Sequence, residues 1–178
     1  MESPFFDKMM LYVYYNSHME LLFTGSNGQQ LNANRVVEEI KKFMNGDSNR
    51  CYKIIIGSDS EHLQDRTADF VTAIVVHRVG NGGRYFWRRV ASATKYHTLR
   101  DRITNEVLLS LSIARELLEE VKRCSLPKFD FEIHVDVGEN GATKAIIQEL
   151  VGMIRANNFE VRTKPDSYAA SKVADRHI

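Results

Sequence analysis

Two aspartates lie within predicted strands at positions where carboxylates need a cation. Asp59 comes three residues after the last of three consecutive isoleucines in the stretch KIIIGSDSE. That β-branched apolar run predicts a strand buried on both faces, where a carboxylate is costly to desolvate unless a cation compensates it. Asp136 lies near the carboxyl end of the predicted neighbouring strand, just before the turn GENG. In open α/β sheets, ligands bind at that end of adjacent strands.

Two further acids come from helical patterns. Glu106 falls at the edge of the apolar stripe of the longest helix, at about 100° per residue, so that it can reach the sheet. Asp175 belongs to a last helix of small residues, predicted over residues 167–177, on one face with Tyr168 and Ser171. Two like charges about 4 Å apart cost on the order of 4 kcal/mol at an effective dielectric of roughly 20. Converging carboxylates therefore share protons or bind hard cations, and all-oxygen sites suit Mg²⁺ or Mn²⁺.

Basic residues form a second candidate feature, around the third predicted strand and the loop after it. Tyr85, Trp87 and Tyr96 are interleaved with them. Arginine binds phosphate oxygens bidentately and aromatic faces stack on bases, which favours a nucleic-acid-binding surface. The alternative is an edge strand protected by charge. The basic residues are Arg84, Arg88, Arg89, Lys95, Arg100 and Arg102.

The elements that position these residues alternate in a regular order. A first helix runs from about Asn34 to Gly46, and a short strand is indicated before it at residues 20–23. After it come three antiparallel strands (53–61, 69–79, 84–92) and the long helix. The chain then continues with a strand (129–137), a helix, a strand (159–163) and the last helix. The order predicts an α/β fold with a mixed five-stranded sheet, in which three antiparallel strands are followed by two parallel ones, flanked by helices.

Composition is ordinary for a globular chain. The 178 residues suit one domain, expected over residues 19–178, after an N-terminal extension (1–18) of unassigned role. The formal charge of +1 means that any basic surface must be local. Cys51 and Cys124 lie in no metal-binding or disulfide pattern and favour a reducing, cytoplasmic location. No apolar run approaches the ~20 residues that a membrane-spanning helix needs.

Four segments together resemble the ribonuclease H-like superfamily, and most closely its uncharacterised YkuK-like branch. They are IIIGSDSE (54–61), TNEVLLSLSIA (104–114), IHVDVGENGATK (133–144) and KPDSYAASKVADRH (164–177). The resemblance covers the chain from about residue 19 to the end. Its order of strand aspartate, helix glutamate, strand aspartate and C-terminal acid is specific in combination.

The resemblance implies a nuclease-type site. Its metal-binding and catalytic carboxylates would be Asp59, Glu106, Asp136 and Asp175. Because Asp175 stands near the chain end, His177 or Asp166 could supply the fourth ligand instead, and His177 could also carry a proton. The implied activity is hydrolysis of RNA, DNA or hybrid phosphodiesters by metal-activated water, with two Mg²⁺ or Mn²⁺ ions stabilising the attacking and leaving oxygens. The alternative is a non-catalytic nucleic-acid-binding module with the same fold.

Overall fold

A seven-stranded mixed sheet is the centre of the fold. The computed structural model describes residues 21–138 and 143–178. The strands within these residues are β1 (Leu22–Gly25), β2 (Gln30–Asn32), β3 (Tyr52–His62), β4 (Ala68–Arg78), β5 (Gly83–Ser92), β6 (Phe129–His134) and β7 (Glu160–Arg162). Their order across the sheet is β2-β1-β5-β4-β3-β6-β7. The predicted extension 1–18 and residues 139–141 of the GENG turn lie outside the described residues.

The pairing confirms the predicted mixture but corrects the strand count. β3, β4 and β5 are antiparallel neighbours, and β6 and β7 continue the sheet in parallel beside β3. The count of five is wrong because β1 and β2 form an antiparallel hairpin that adds to the edge at β5. β1 overlaps the short strand predicted at residues 20–23, which was not counted in the sheet, and the three residues of β2 are too few for a clear two-residue alternation. Gly28, with φ of 82°, supplies the left-handed residue of their turn.

Helices cover one face of the sheet. The α-helices are α1 (Ala33–Asn45), α2 (Leu99–Lys122) and α3 (Ile147–Ala156), and a 3₁₀ turn, Lys144–Ile146, precedes α3. Their apolar residues pack on strand residues such as Ile54 and Ile56, which are fully buried. Gly46 caps α1 by donating its N–H to the carbonyl of Lys42, as the sequence predicts for its end. The helical face therefore contains the larger core.

The C-terminal segment covers the other face. Instead of the regular helix predicted over residues 167–177, it forms a π-helix, Ala169–Ala174, and a 3₁₀ turn, Asp175–His177. Ala169 and Ala174 are fully buried against Ile55 and Val71. Because these alanines are small, the segment lies close to the strands, and it brings its polar residues to the same face as Asp59. No helix in the described ranges is long and apolar enough to cross a membrane.

The first turn of α2 depends on one hydroxyl. Thr98 has extended backbone angles, and its side chain accepts the N–H of Asp101 at 3.1 Å. We expect Thr98→Ala to lower the free energy of unfolding by about 1 kcal/mol, because a helix N–H loses its cap. Thr98→Ser, which keeps the hydroxyl, should stay close to wild type. Urea unfolding of the three proteins measures the difference, and equal stability of Thr98→Ala and wild type would contradict the capping role.

Candidate functional site

Asp59 and Asp136 lie side by side on the face that the C-terminal segment covers. In the parallel pair β3–β6, Gly57 is the partner of His134, and each aspartate stands two residues further along its chain. Side chains two residues apart share a face of a strand. Asp59 accepts the backbone N–H of Ser60 at 2.8 Å. The two predicted strand aspartates are therefore brought together as the sequence indicated.

The pKa of Asp59 is raised above its ordinary value. Burial is the largest cause, and the carboxylates of Asp136 and Asp175 add to it, while the Ser60 N–H and Arg102 act in the opposite direction. Three predicted acids thus act on one another electrostatically. Of the candidates for the fourth position, Asp175 is the aspartate near Asp59, whereas Asp166 lines a cavity together with Lys53.

Asp136 has one paired and one unpaired oxygen. Its Oδ2 lies 2.9 Å from the ammonium of Lys164. Its Oδ1 is buried and has no hydrogen-bond partner among the described residues. A buried acceptor without a partner is rare and costly. This oxygen marks the point in the cluster where an additional cation or donor would be most stabilising.

Glu106 approaches from the opposite face of β3. It is buried on α2, and the hydroxyl of Ser60 donates to its Oε1. The guanidinium of Arg102 lies 3.7 Å from the same oxygen and also donates to the Ser60 hydroxyl at 2.7 Å. The pKa of Glu106 is raised to about 8, mainly by burial and in part by the carboxylates of Asp59 and Asp136, against the opposing effects of Ser60 and Arg102. Glu106 is therefore protonated at neutral pH in the metal-free protein.

His177 packs against the aromatic residues of β5. Its ring is stacked on Trp87, with centroids 4.4 Å apart and planes within 8°, and the centroid of the Tyr85 ring lies 5.5 Å away. Burial and the neighbouring Arg176 lower the pKa of His177, so its imidazole is neutral near pH 7. Its Nε2 is buried and finds no hydrogen-bond partner in the residues described.

The acids approach one another without completing a coordination sphere. Among residues 21–138 and 143–178, no three His, Cys, Asp or Glu side chains are close enough to hold one ion. The donor set nevertheless suits a hard cation, because every acid offers oxygen and one Asp136 oxygen is unpaired. Two acids also have raised pKa values that a cation would lower. The donor types therefore suit Mg²⁺ or Mn²⁺, but the described residues do not gather three of them around one point.

The six predicted basic residues do not form one surface. Residues of β5 alternate between faces, so Arg84 interacts with Glu39 of α1 at 3.5 Å, whereas Arg89 pairs with Asp69 of β4 at 2.5 Å. Arg100 pairs with Glu149 of α3. The remaining three have other acidic or polar neighbours: Arg88 acts on Glu116, Lys95 on Asp65, and Arg102 holds Ser60. Arg102 is mostly buried, and its main contacts are within the acid cluster.

Comparison with known proteins agrees with this fold. The family model described as Ribonuclease H-like matches residues 35–178, so the chain belongs to the ribonuclease H-like family. The Uncharacterized protein YkuK of Bacillus subtilis (strain 168) is 33% identical over 165 residues, covering 87% of this chain and 95% of that protein. The predicted resemblance is confirmed. No solved structure matches the chain significantly.

Two residues of the cluster were not anticipated from the sequence. Ser60 hydrogen-bonds Glu106, and Lys164 neutralises Asp136. Ser60 could have been found, because the two-residue period that directs Asp59 to one face directs Ser60 to the helical face. Lys164 has no such signal, since its contact depends on the path of the C-terminal segment.

The raised pKa of Glu106 predicts a pH-dependent stability. Between its ordinary value of 4.5 and about 8, the native protein holds a proton at this group that the unfolded chain has lost. The free energy of unfolding should therefore fall as pH rises through this window, by up to about 1.4 kcal/mol per pH unit. In Glu106→Gln, which cannot ionise, this contribution should be absent. Urea unfolding in EDTA across the window measures the slope.

The matched control is Glu119→Gln, which removes an exposed carboxylate from the same helix. Its slope between the two pH values should equal that of wild type. A Glu106→Gln protein with the wild-type slope would show that Glu106 is already ionised at neutral pH.

Proposed function

We propose that the protein is a divalent-metal-dependent nuclease that hydrolyses phosphodiester bonds of nucleic acids. The observation that carries the proposal is the buried, unpaired Oδ1 of Asp136 beside Asp59, in a cluster with Asp175. Membership of the ribonuclease H-like family supports the choice of substrate class.

Asp59 and Asp136 would hold Mg²⁺ or Mn²⁺, and Glu106 and Asp175 would complete the ligand set. A bound divalent ion supplies an activated water and neutralises phosphate charge. Lys164 would exchange its contact with Asp136 for a substrate phosphate, and Glu106 would have to release its proton to solvent in order to serve as a ligand. Ser60 and Arg102 orient the Glu106 carboxylate from the side of α2.

Exposed basic residues would contact the nucleic-acid backbone at separate places, because they do not share one surface. The guanidinium groups of Arg84, Arg89 and Arg100 are 44–58% exposed in their ion pairs, and exposed pairs contribute little to stability. Exchanging an acidic partner for a phosphate is therefore inexpensive. Arg88 and Lys95 remain proposed contacts, whereas Arg102 has a positioning role.

A specific observation favours the second candidate function, a non-catalytic nucleic-acid-binding module. No three potential ligands in the described part of the chain are close enough to hold a common ion. Such a protein would bind nucleic acid with its exposed basic residues and keep the acids neutralised by Lys164 and by the proton on Glu106.

Metal binding and cleavage separate these functions. We expect Mg²⁺ to raise the melting temperature of the wild type but not of Asp59→Asn, because the variant lacks a charged ligand. Mn²⁺ or Mg²⁺ should support cleavage within a panel of labelled RNA, DNA, hybrid and junction substrates. Asp59→Asn and Asp136→Asn should abolish that cleavage, whereas Asp130→Asn, an exposed aspartate earlier in β6, should leave it unchanged.

In EDTA, Asp59→Asn should be no less stable than wild type, since it removes repulsion from Asp136 and Asp175. Cleavage by both active-site variants at the wild-type rate would contradict the site assignment. Substrate binding without cleavage, and without a metal-dependent shift in melting temperature, would establish the non-catalytic alternative.

A further inference from the structure

A cavity of about 390 Å³ opens on the same face of the sheet as Asp59, at the other end of β3. Lys53, which lines it, precedes Asp59 by six residues, or about 20 Å along a strand. The walls come from β3, β4, β6, β7 and the C-terminal segment. This volume is in the range of small-molecule sites, roughly 300–1,000 Å³.

A buried carboxylate organises the floor of the cavity. Glu132 is 5% exposed. Its Oε1 accepts the ammonium of Lys53 at 2.6 Å, and Arg162 lies 3.6 Å from the same oxygen. Its Oε2 lies 3.2 Å from Nε2 of His134. Burial acts to raise the pKa of Glu132, but these contacts lower it, so the carboxylate is ionised. It fixes Lys53 by a hydrogen bond and attracts Arg162 at a longer distance.

His134 ties the floor to the C-terminal wall. Its Nδ1 accepts the backbone N–H of Ala169 at 3.3 Å, which leaves the proton on Nε2 to be donated to Glu132. On the wall itself, the Tyr168 hydroxyl is 3.2 Å from Nδ1 of His77. The cavity is therefore a polar site held in shape by contacts between five elements.

The ionised side chains that line the cavity have a positive surplus. Lys53, Arg162 and Lys172 oppose Glu132 and Asp166. Arg162 lines the cavity with a side chain that is 48% exposed, and the ion pair that it makes among the described residues is longer than a hydrogen bond. Lys172 makes no ion pair within the described parts of the chain. Both cations are available to an anion, whereas Lys53 is occupied by Glu132.

We propose that this cavity binds a phosphate monoester, with Arg162 and Lys172 holding the phosphate and Tyr168 contacting the attached group. A planar guanidinium matches phosphate oxygens bidentately, and a dianion suits a site with two available cations. The volume leaves room for a group of nucleoside size beside the phosphate. The monoester could belong to a free nucleotide or to the 5′ end of a nucleic-acid strand. This site uses none of the four carboxylates of the proposed nuclease.

Titration calorimetry in EDTA tests the proposal with adenosine 5′-monophosphate and adenosine. The monophosphate should bind at least about tenfold more tightly, since charge-assisted contacts contribute roughly 1.5–3 kcal/mol. An oligonucleotide with a 5′-phosphate, compared with the same strand ending in a hydroxyl, identifies the source. If the phosphate improves binding only for the oligonucleotide, the site recognises the 5′ ends of strands. If adenosine 5′-monophosphate itself binds tightly, the site recognises free nucleotides.

Arg162→Gln and Lys172→Gln should each weaken the phosphate-dependent binding by about tenfold. Both variants keep Lys53, so the buried Glu132 carboxylate retains its hydrogen-bonded ion pair. Lys122→Gln, an exposed lysine of α2, is the matched control and should bind as wild type does. Equal melting temperatures of the proteins without ligand exclude unfolding as the cause. The proposal is overturned if the phosphate improves binding of neither probe, or if both cavity variants bind as tightly as wild type.

Discussion

Strand β3 is buried on both faces, and the two-residue period of its side chains determines where the candidate site lies. Ile54 and Ile56 face the helices, and Ile55 faces the C-terminal segment. Continuing that alternation, Ser60 meets Glu106 of α2, and Asp59 meets the other acids. A register slip of one residue would exchange the two faces and bury Asp59 among apolar side chains. Pairing with β4 along all eleven residues of β3 prevents such a slip.

Carboxylate repulsion is relieved differently at each acid. Asp136 is neutralised by Lys164, Glu106 keeps its proton, and Asp59 accepts a backbone N–H. These arrangements make the metal-free protein stable with acids that lie near one another. A cation at the proposed site would have to compete with an ammonium at Asp136 and with a proton at Glu106. Its affinity would therefore rise with pH until Glu106 is ionised.

The sequence predicted the central strands because their signals are local. Three isoleucines before Asp59 and the alternating pattern before Asp136 are short-range features that the sheet keeps. Glu106 was placed at the edge of the α2 stripe, but it is buried, because Ser60 and Arg102 compensate it. The spacing of apolar residues along the sequence does not indicate a contact between distant segments such as that of Ser60 with Glu106. The basic residues near β5 were grouped by sequence proximity, which ignores the alternation that sends Arg84 and Arg89 to different sides.

The C-terminal segment is the element least visible in the sequence, and both proposed sites depend on it. It is attached to the sheet mainly through side chains, with His134 accepting its backbone N–H and Trp87 stacking on His177. From one side it brings Asp175 toward Asp59, and from the other it contributes Tyr168 and Lys172 to the cavity. Tyr168 directly precedes the π-helix, and Asp175 directly follows it. The same short helix therefore connects the cavity with the acid cluster. Because buried alanines pack this helix closely against the strands, the two proposed sites share one wall.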